Sequence, residues 1–437
     1  MSQFFAYEIP WLDRPNILIV LLMMSIGVAY LFFVNKLIVC QPYKPITIIL
    51  IGLVLRIIFL DSTPVYEDDF YRYFWDAELS TQGINPYSSA PIDAMPSPFD
   101  LDKLYQVDYL DRVAYPTIRT IYPPLTQTVF AIAHWISPAD LTTWRLILLM
   151  VDCIAVGILA LLLRELGKDT SLIGIYWLNP LLIIETIGAA HMDVLLIPFL
   201  TGSALLYIRK QQTYSGVLLA CAVGIKLWPI LLPPLLFRSF ISSPKQLFKT
   251  AWPFLVLCVL FLAPQLLTRL DYDAGVVSYA LTWNTNAFIY PLINSFFGLI
   301  LGADRTGIFD PNLVSRLLVI FVVVSVLIHI VKKPESAPED IVWRMLMVTA
   351  VLLMFSPTGY PWYYLWLLPW LSCIPYKPIL LLTATLPLYY LRYLFEIKGL
   401  LPFFNGIIVM VEFIPSLLLA AYCYLRLKGK PEAIEST

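Results

Sequence analysis

Long apolar runs recur along almost the whole chain, many of them close to 18 residues, and they constrain it more than any other feature. A run of that length matches the hydrocarbon thickness of a bilayer when it is helical, and a water-soluble core has no use for so many of them. The composition agrees: 59% of the 437 residues are hydrophobic, 14% are charged, and mean hydropathy is +0.77. The expectation is an all-α, polytopic transmembrane helical bundle, inserted as a single integral-membrane domain over residues 1–437. A formal net charge of −1 gives no electrostatic footprint for nucleic acid. The first apolar run, Asn16 to Val34, is long enough to span and lacks a small-residue cleavage site, so it reads as a span and not as a signal peptide. Five of the six cysteines fall in apolar segments and Cys40 sits in a short loop, which argues against a disulfide framework or zinc site. The histidines His134, His191 and His329 lack metal-site spacing, so no cofactor is expected, a divalent metal being possible but not indicated. No Asn-x-Ser/Thr acceptor occurs, which favours a bacterial membrane.

Topology follows from placing Lys and Arg clusters in the cytoplasm. Residues 1–60 carry two spans, 16–34 and 44–60, with Lys36 and Lys44 between them inside. The loop Asp61 to Thr120 carries eleven acids against four bases and is placed outside; Pro86, Pro91, Pro96 and Pro98 interrupt long helices there. The run 121–137 is read as re-entrant or surface-lying, because otherwise Arg164, Lys168, Arg209, Lys210, Lys332 and Lys333 would all land outside. Residues 61–137 therefore form a large first outer loop with juxtamembrane helices, and 138–267 hold core spans at 143–163, 171–187, 193–208 and 251–267. The block 214–237, with Lys226, Pro229, Pro233 and Pro234, is read as two shorter helices broken near Lys226–Pro229. A second outer loop covers 268–312, and 313–437 hold the C-terminal spans, for about 11 to 15 crossings in all.

Ionisable groups in such a chain need a reason. Tyr66 to Asp76, YEDDFYRYFWD, holds three consecutive carboxylates, Glu67, Asp68 and Asp69. On a helix, Asp69, Arg72, Tyr73 and Asp76 share one face and Phe70, Phe74 and Ala77 another. This is either a solvated acidic helix cap or a membrane-surface helix with its aromatic side in lipid and its carboxylates facing a cavity. On the same side fall His191 and Asp193 in the turn GAAHMD, Lys226 at the broken segment, Asn284 and Asn286 in LTWNTNAF, and Tyr360 to Tyr364 after SPTGYP. Each has a plainer explanation: an interfacial histidine, a snorkelling lysine, an aromatic belt. Arg56 and Asp152 are expected to satisfy one another or backbone carbonyls; Glu185 and Glu412 have no evident partner. Carboxylates, a histidine, a lysine and asparagines from five distant segments nonetheless converge on one compartment. A carboxylate can take the proton of an attacking hydroxyl, a cation can neutralise a phosphate leaving group, and aromatic rings can platform sugars.

At these residues the chain resembles the GT-C superfamily of membrane glycosyltransferases, in particular bacterial polyprenyl-phosphate-mannose-dependent mannosyltransferases and, more distantly, the catalytic subunit of glycosylphosphatidylinositol mannosyltransferase I. The resembling pieces are EDDFYRYFWDA (67–77), GINPY (83–87), IYPPLTQ (121–127), WLNPL (177–181), AAHMD (189–193) and GIKLWPILLPPLLF (224–237). The resemblance implies inverting transfer of a sugar, mannose foremost, from a polyprenyl-phosphate donor to a lipid or glycan acceptor, on the outer face of a bacterial inner membrane. It places the general base on Asp69, with Asp68 or Glu67 as alternatives, since Glu67-Asp68-Asp69 stands where relatives carry Asp-x-Asp. It suggests Lys226 and Arg72 for the donor phosphate. For the substrate pocket it suggests Tyr73, Asp76, Asn85, Tyr87, Tyr122, Gln127, His191, Asp193, Asn284 and Tyr360. Ala77 stands where relatives often have Gly. The competing reading is a lipid-linked sugar flippase or other transporter, and glucose, arabinose or an aminosugar are alternative donors.

Overall fold

The computed structural model describes residues 14–40, 43–64, 66–94, 109–240, 242–304 and 306–428. Among them every regular element is helical, apart from one isolated bridge between Thr285 and Thr358. Pro96 and Pro98 of the first outer loop lie outside the described residues.

Six described helices are long and apolar enough to cross a bilayer alone: Asn16–Cys40, Leu141–Glu165, Pro244–Leu266, Pro311–Lys332, Lys377–Ile397 and Leu401–Arg426. The pair Thr170–Trp177 and Pro180–Gly188, bent by 57°, makes up to a seventh. The bend has a local cause: Pro180 cannot continue the hydrogen-bond ladder, and the Asn179 side chain caps the new helix by accepting from Leu181 N. The remaining expected crossings fall on shorter helices such as Pro45–Phe59, Met192–Ile208 and Gln212–Ile225. Prolines also set helix starts at Pro45, Pro124, Pro244 and Pro311, where a missing N–H is harmless. Phe32, Val259, Leu299 and Phe321 remain exposed on these helices, as lipid-facing side chains should.

The run 121–137 forms the helix Pro124–Ile136, whose 13 residues span about 20 Å. That falls short of a ~30 Å hydrocarbon core, and the helix packs against Asp69–Thr81. The break in 214–237 comes where expected: Gln212–Ile225 ends at Lys226, and a 3-10 turn, Trp228–Leu231, follows.

The buried ion pair is also where expected. Arg56 Nε donates to Asp152 at 2.8 Å, Nη1 reaches the carbonyls of Gly52 and Trp177, and the Tyr176 hydroxyl donates to the second Asp152 oxygen. The Arg56 guanidinium stacks 3.4 Å from the Trp177 ring, and a Cβ at Gly52 would run into that same ring, so only glycine lets the two helices approach this closely.

The Leu141–Glu165 helix, about 37 Å long, orients the bundle. At one end Trp144 and Arg145 hold the turn that carries His191, through the carbonyls of Ala190 and Gly188. At the other end Glu165 pairs with Arg209. Lys168–Glu339 and Arg344–Glu335 pairs join the same end. The basic clusters and the His191 turn thus sit at opposite ends of the molecule.

Candidate functional site

A cavity of about 440 Å³ opens at the end opposite the basic clusters. It is lined by the acidic segment at the start of Asp69–Thr81, by Tyr122, by Asp193 and Lys226, and by the aromatic stretch from Tyr360 to Trp366. Tyr389, Arg392 and Tyr393, at the end of Lys377–Ile397, complete one wall.

The acidic helix forms with its polar face as the spacing required, but its aromatic side is not in lipid. Phe70, Phe74 and Ala77 are buried against protein, because Tyr71, Tyr109 and the neighbouring helix Pro124–Ile136 cover them. The three carboxylates then separate by environment. Glu67 is buried and accepts from the Tyr393 hydroxyl at 2.7 Å. Burial, with the charge of Asp69 beside it, pushes its carboxyl well above the usual carboxylate range. Asp68 caps the helix by position, and burial raises it too. Burial first, and then the charge of Asp68, push Asp69 up to about 7, while Lys226 pulls the other way. About a quarter (28%) of the Asp69 side chain still faces the cavity, and among the described residues it accepts no hydrogen bond. Asp68 is also partly exposed on the lining without a side-chain hydrogen bond among the described residues, so Asp69 is set apart from it by its neighbours, His191 and Lys226.

Lys226 donates to Asp193 at 2.5 Å, and its ammonium lies 4.2 Å from the Tyr363 ring centroid and 4.9 Å from that of Trp366. Asp193 also accepts from the Trp366 indole at 2.9 Å. The lysine is thus caged at the cavity wall and does not snorkel to the interface. The Tyr360–Trp366 stretch is likewise inside: Trp362, Tyr364 and Trp366 are buried, so the aromatic belt is excluded for them. Arg72 lines the cavity, donating to Asp76 at 3.0 Å and to the Ile118 carbonyl, while its Nη2 is buried without a partner among the described residues. Asp76 accepts in turn from Thr120 and from Gln127, the latter at 2.8 Å. Asp76 and Gln127 hold Arg72 from behind and do not line the cavity.

Of the expected site residues, Glu67, Asp68, Asp69, Arg72, Tyr73, Tyr122, Asp193, Lys226 and Tyr360 come together on the lining. Tyr87 stands one layer back, donating to the Tyr122 carbonyl at 2.6 Å, and Asn85 caps its own turn through Tyr87 N. His191 lies fully buried beneath the floor, stacked on Trp362 with centroids 3.7 Å apart. Asn284 is exposed outside the lining. Its neighbour Asn286 is buried and donates to Glu412 at 2.8 Å and to the Gly359 carbonyl, which explains Glu412. Glu185 accepts from Tyr390 at 2.7 Å.

Arg119, Arg392, Tyr393, Trp228 and Tyr279 also line the cavity, and the sequence reading had not singled them out. For Arg392 the signal was present in LRYLFE, an arginine and a glutamate at the outer end of an apolar run. Arg119 offered none: its role depends on pairing with Asp271 and donating to the Arg269 carbonyl, across 150 residues of chain. Among the described residues no group of three or more metal-ligating side chains converges.

Residues 12–240 match the family described as alpha-(1->6)-mannopyranosyltransferase, N-terminal domain, over just more than half of the chain. The chain belongs to this family. It is also 22% identical over 331 residues to alpha-(1->6)-mannopyranosyltransferase A of Mycobacterium tuberculosis (strain ATCC 25618 / H37Rv), an alignment covering 70% of this chain. The chain spans 61% of that relative's length. The family match contains the acidic segment, His191, Asp193 and Lys226, whereas the Tyr360–Trp366 wall and Arg392 lie beyond it.

Proposed function

We propose that the protein transfers a mannosyl group from a polyprenyl-phosphate donor to a hydroxyl of a lipid or glycan acceptor, with inversion, at the outer face of a bacterial inner membrane. The observation that carries this reading is the cavity itself. It joins the Asp69 carboxylate, pushed up to about 7, the cationic side chains of Lys226, Arg72, Arg119 and Arg392, and a wall of aromatic rings, at the end of the bundle away from its basic clusters. Its volume falls within the ~300–1,000 Å³ usual for small-molecule sites.

In this reading Asp69 takes the proton from the acceptor hydroxyl as its oxygen attacks C1 of the donor sugar. The bond from C1 to the phosphate oxygen breaks, and the polyprenyl phosphate leaves with both electrons. Lys226 and the Arg72 guanidinium neutralise the charge that develops there, with no metal ion required. Tyr360, backed by its stack on Trp362, offers an aromatic face to the sugar ring. The alpha-(1->6) linkage in the relative's name extends the proposal to a primary hydroxyl as acceptor.

The test is transfer in membranes that contain the protein, supplied with radiolabelled polyprenyl-phosphate mannose and candidate acceptors. The expected result is a new glycosidic product that survives chelation by EDTA. Label accumulating across vesicles without a new glycosidic bond would establish a transporter instead.

A further inference from the structure

Behind the cavity floor His191 stands between two carboxylates. Its Nδ1 lies 3.9 Å from Asp69 Oδ2, and its Nε2 lies 3.6 Å from Glu185 Oε2. Both ring nitrogens and Glu185 Oε2 are buried and lack a hydrogen-bond partner among the described residues. Three orphaned polar atoms in a line, with Asp69 at the end that reaches the cavity, are not a packing accident, because each costs about 1–3 kcal/mol if left unpaired.

The backbone is built to produce this line. Residues Ile184–Gly188 form a π-helical turn, a geometry found often at functional sites, and His191 N bonds back to the Glu185 carbonyl at 3.0 Å. Ala190 adopts φ 64, a left-handed conformation unfavourable for alanine, and Trp144 and Arg145 pin the turn on either side of it. Trp362 fixes the plane of the imidazole by stacking. Tyr390, which is itself stacked on Tyr66, fixes Glu185.

We propose that His191 is a positioning residue for Asp69, with Glu185 setting its tautomer. The proposal rests on the reading of Asp69 as the base. One proton arrangement satisfies every atom in the line: Glu185 Oε2–H donates to Nε2, and Nδ1–H donates to the ionised Asp69. Each gap exceeds the usual ~2.9 Å by about 1 Å or less, and catalytic hydrogen bonds commonly tighten to full contact only once substrate is bound. The donated bond holds the Asp69 carboxylate in one orientation and favours its ionised form. This opposes the burial and the Asp68 charge that disfavour it.

The other groups facing Asp69 are Glu67 and Asp68 of its own segment, Arg72 one turn on, and Lys226 and Asp193 from across the cavity. The phenols of Tyr73, Tyr122 and Tyr360 also face it, and burial raises all three above their ordinary range, so they stay neutral through neutral pH.

The experiment is the pH profile of kcat/KM for mannosyl transfer by the full chain, comparing wild type with His191→Ala, His191→Asn and Glu185→Leu. Asparagine keeps a donor near the Nδ1 position. His191→Ala should cut kcat about 10- to 100-fold and move the acidic limb to higher pH. His191→Asn should restore much of both. Glu185→Leu should move the limb in the same direction, and combining it with His191→Ala should add little. Expression and thermal melting of each variant in detergent separate misfolding from these effects. An acidic limb that stays at the wild-type position in folded His191→Ala, or no difference between alanine and asparagine, overturns the proposal. Asp69→Asn in the same assay tests the underlying reading separately: if that variant retains full activity, it is the assignment of the base that fails.

Discussion

Asp69 differs from its neighbours by what surrounds it. Glu67 is engaged by Tyr393, whereas Asp68 and Asp69 both line the cavity without accepting a side-chain hydrogen bond among the described residues, and of these two it is Asp69 that His191 approaches and that the Lys226 charge acts on. A base must be ionised to accept a proton, and burial with the charge of Asp68 pushes the Asp69 carboxyl up to about 7. The rate of transfer should therefore fall about tenfold per pH unit below that point and level off above it. A profile that stays flat down to pH 5 would place the base elsewhere. Lys226→Met tests the phosphate assignment: it should lower kcat about 100-fold or more, because the charge it neutralises develops in the transition state. A loss confined to KM would give Lys226 a ground-state binding role only.

Packing around the site depends on pairs that join distant elements. Arg56 and Asp152 are both fully buried, so removing one leaves the other uncompensated. Arg56→Met alone should lower stability by about 3–5 kcal/mol, and Arg56→Met with Asp152→Leu should recover much of it, as read by thermal melting in detergent. This pair was legible in the sequence because each residue interrupts an apolar run and so needs a partner. The helix at Asp69 was legible through its spacing, and the break at Lys226 through its prolines. What escaped was anything set by three-dimensional closure. The aromatic face of the Asp69 helix was assigned to lipid, because periodicity marks a face as apolar without saying what covers it. Asn284 was chosen over Asn286 as the polar residue at the site, although only Asn286 turns inward, toward Gly359 and Glu412. Arg119 clamps the first outer segment to the second through Asp271 and the Asp273 carbonyl, and Gly275 is required there because a Cβ would strike the Arg119 backbone. Gly275→Val should consequently reduce transfer and melting temperature together.

Across the whole molecule, function in this account needs polarity. The cavity lies at one end and the pairs of Lys168, Arg209 and Arg344 at the other, and the proposed function takes the positive-inside rule to place the cavity on the outer face. In a background with all six cysteines replaced, Asn284→Cys should react with a membrane-impermeant maleimide in intact cells, and Lys210→Cys only after permeabilisation. The reverse pattern would put the cavity in the cytoplasm and remove the outward-facing donor from the account. The most direct measurement is mannosyl transfer from polyprenyl-phosphate mannose by purified wild type and Asp69→Asn at matched expression and stability. The account predicts a glycosidic product from the wild type and a loss of about 100-fold or more in the variant. Equal transfer by the two proteins would contradict it.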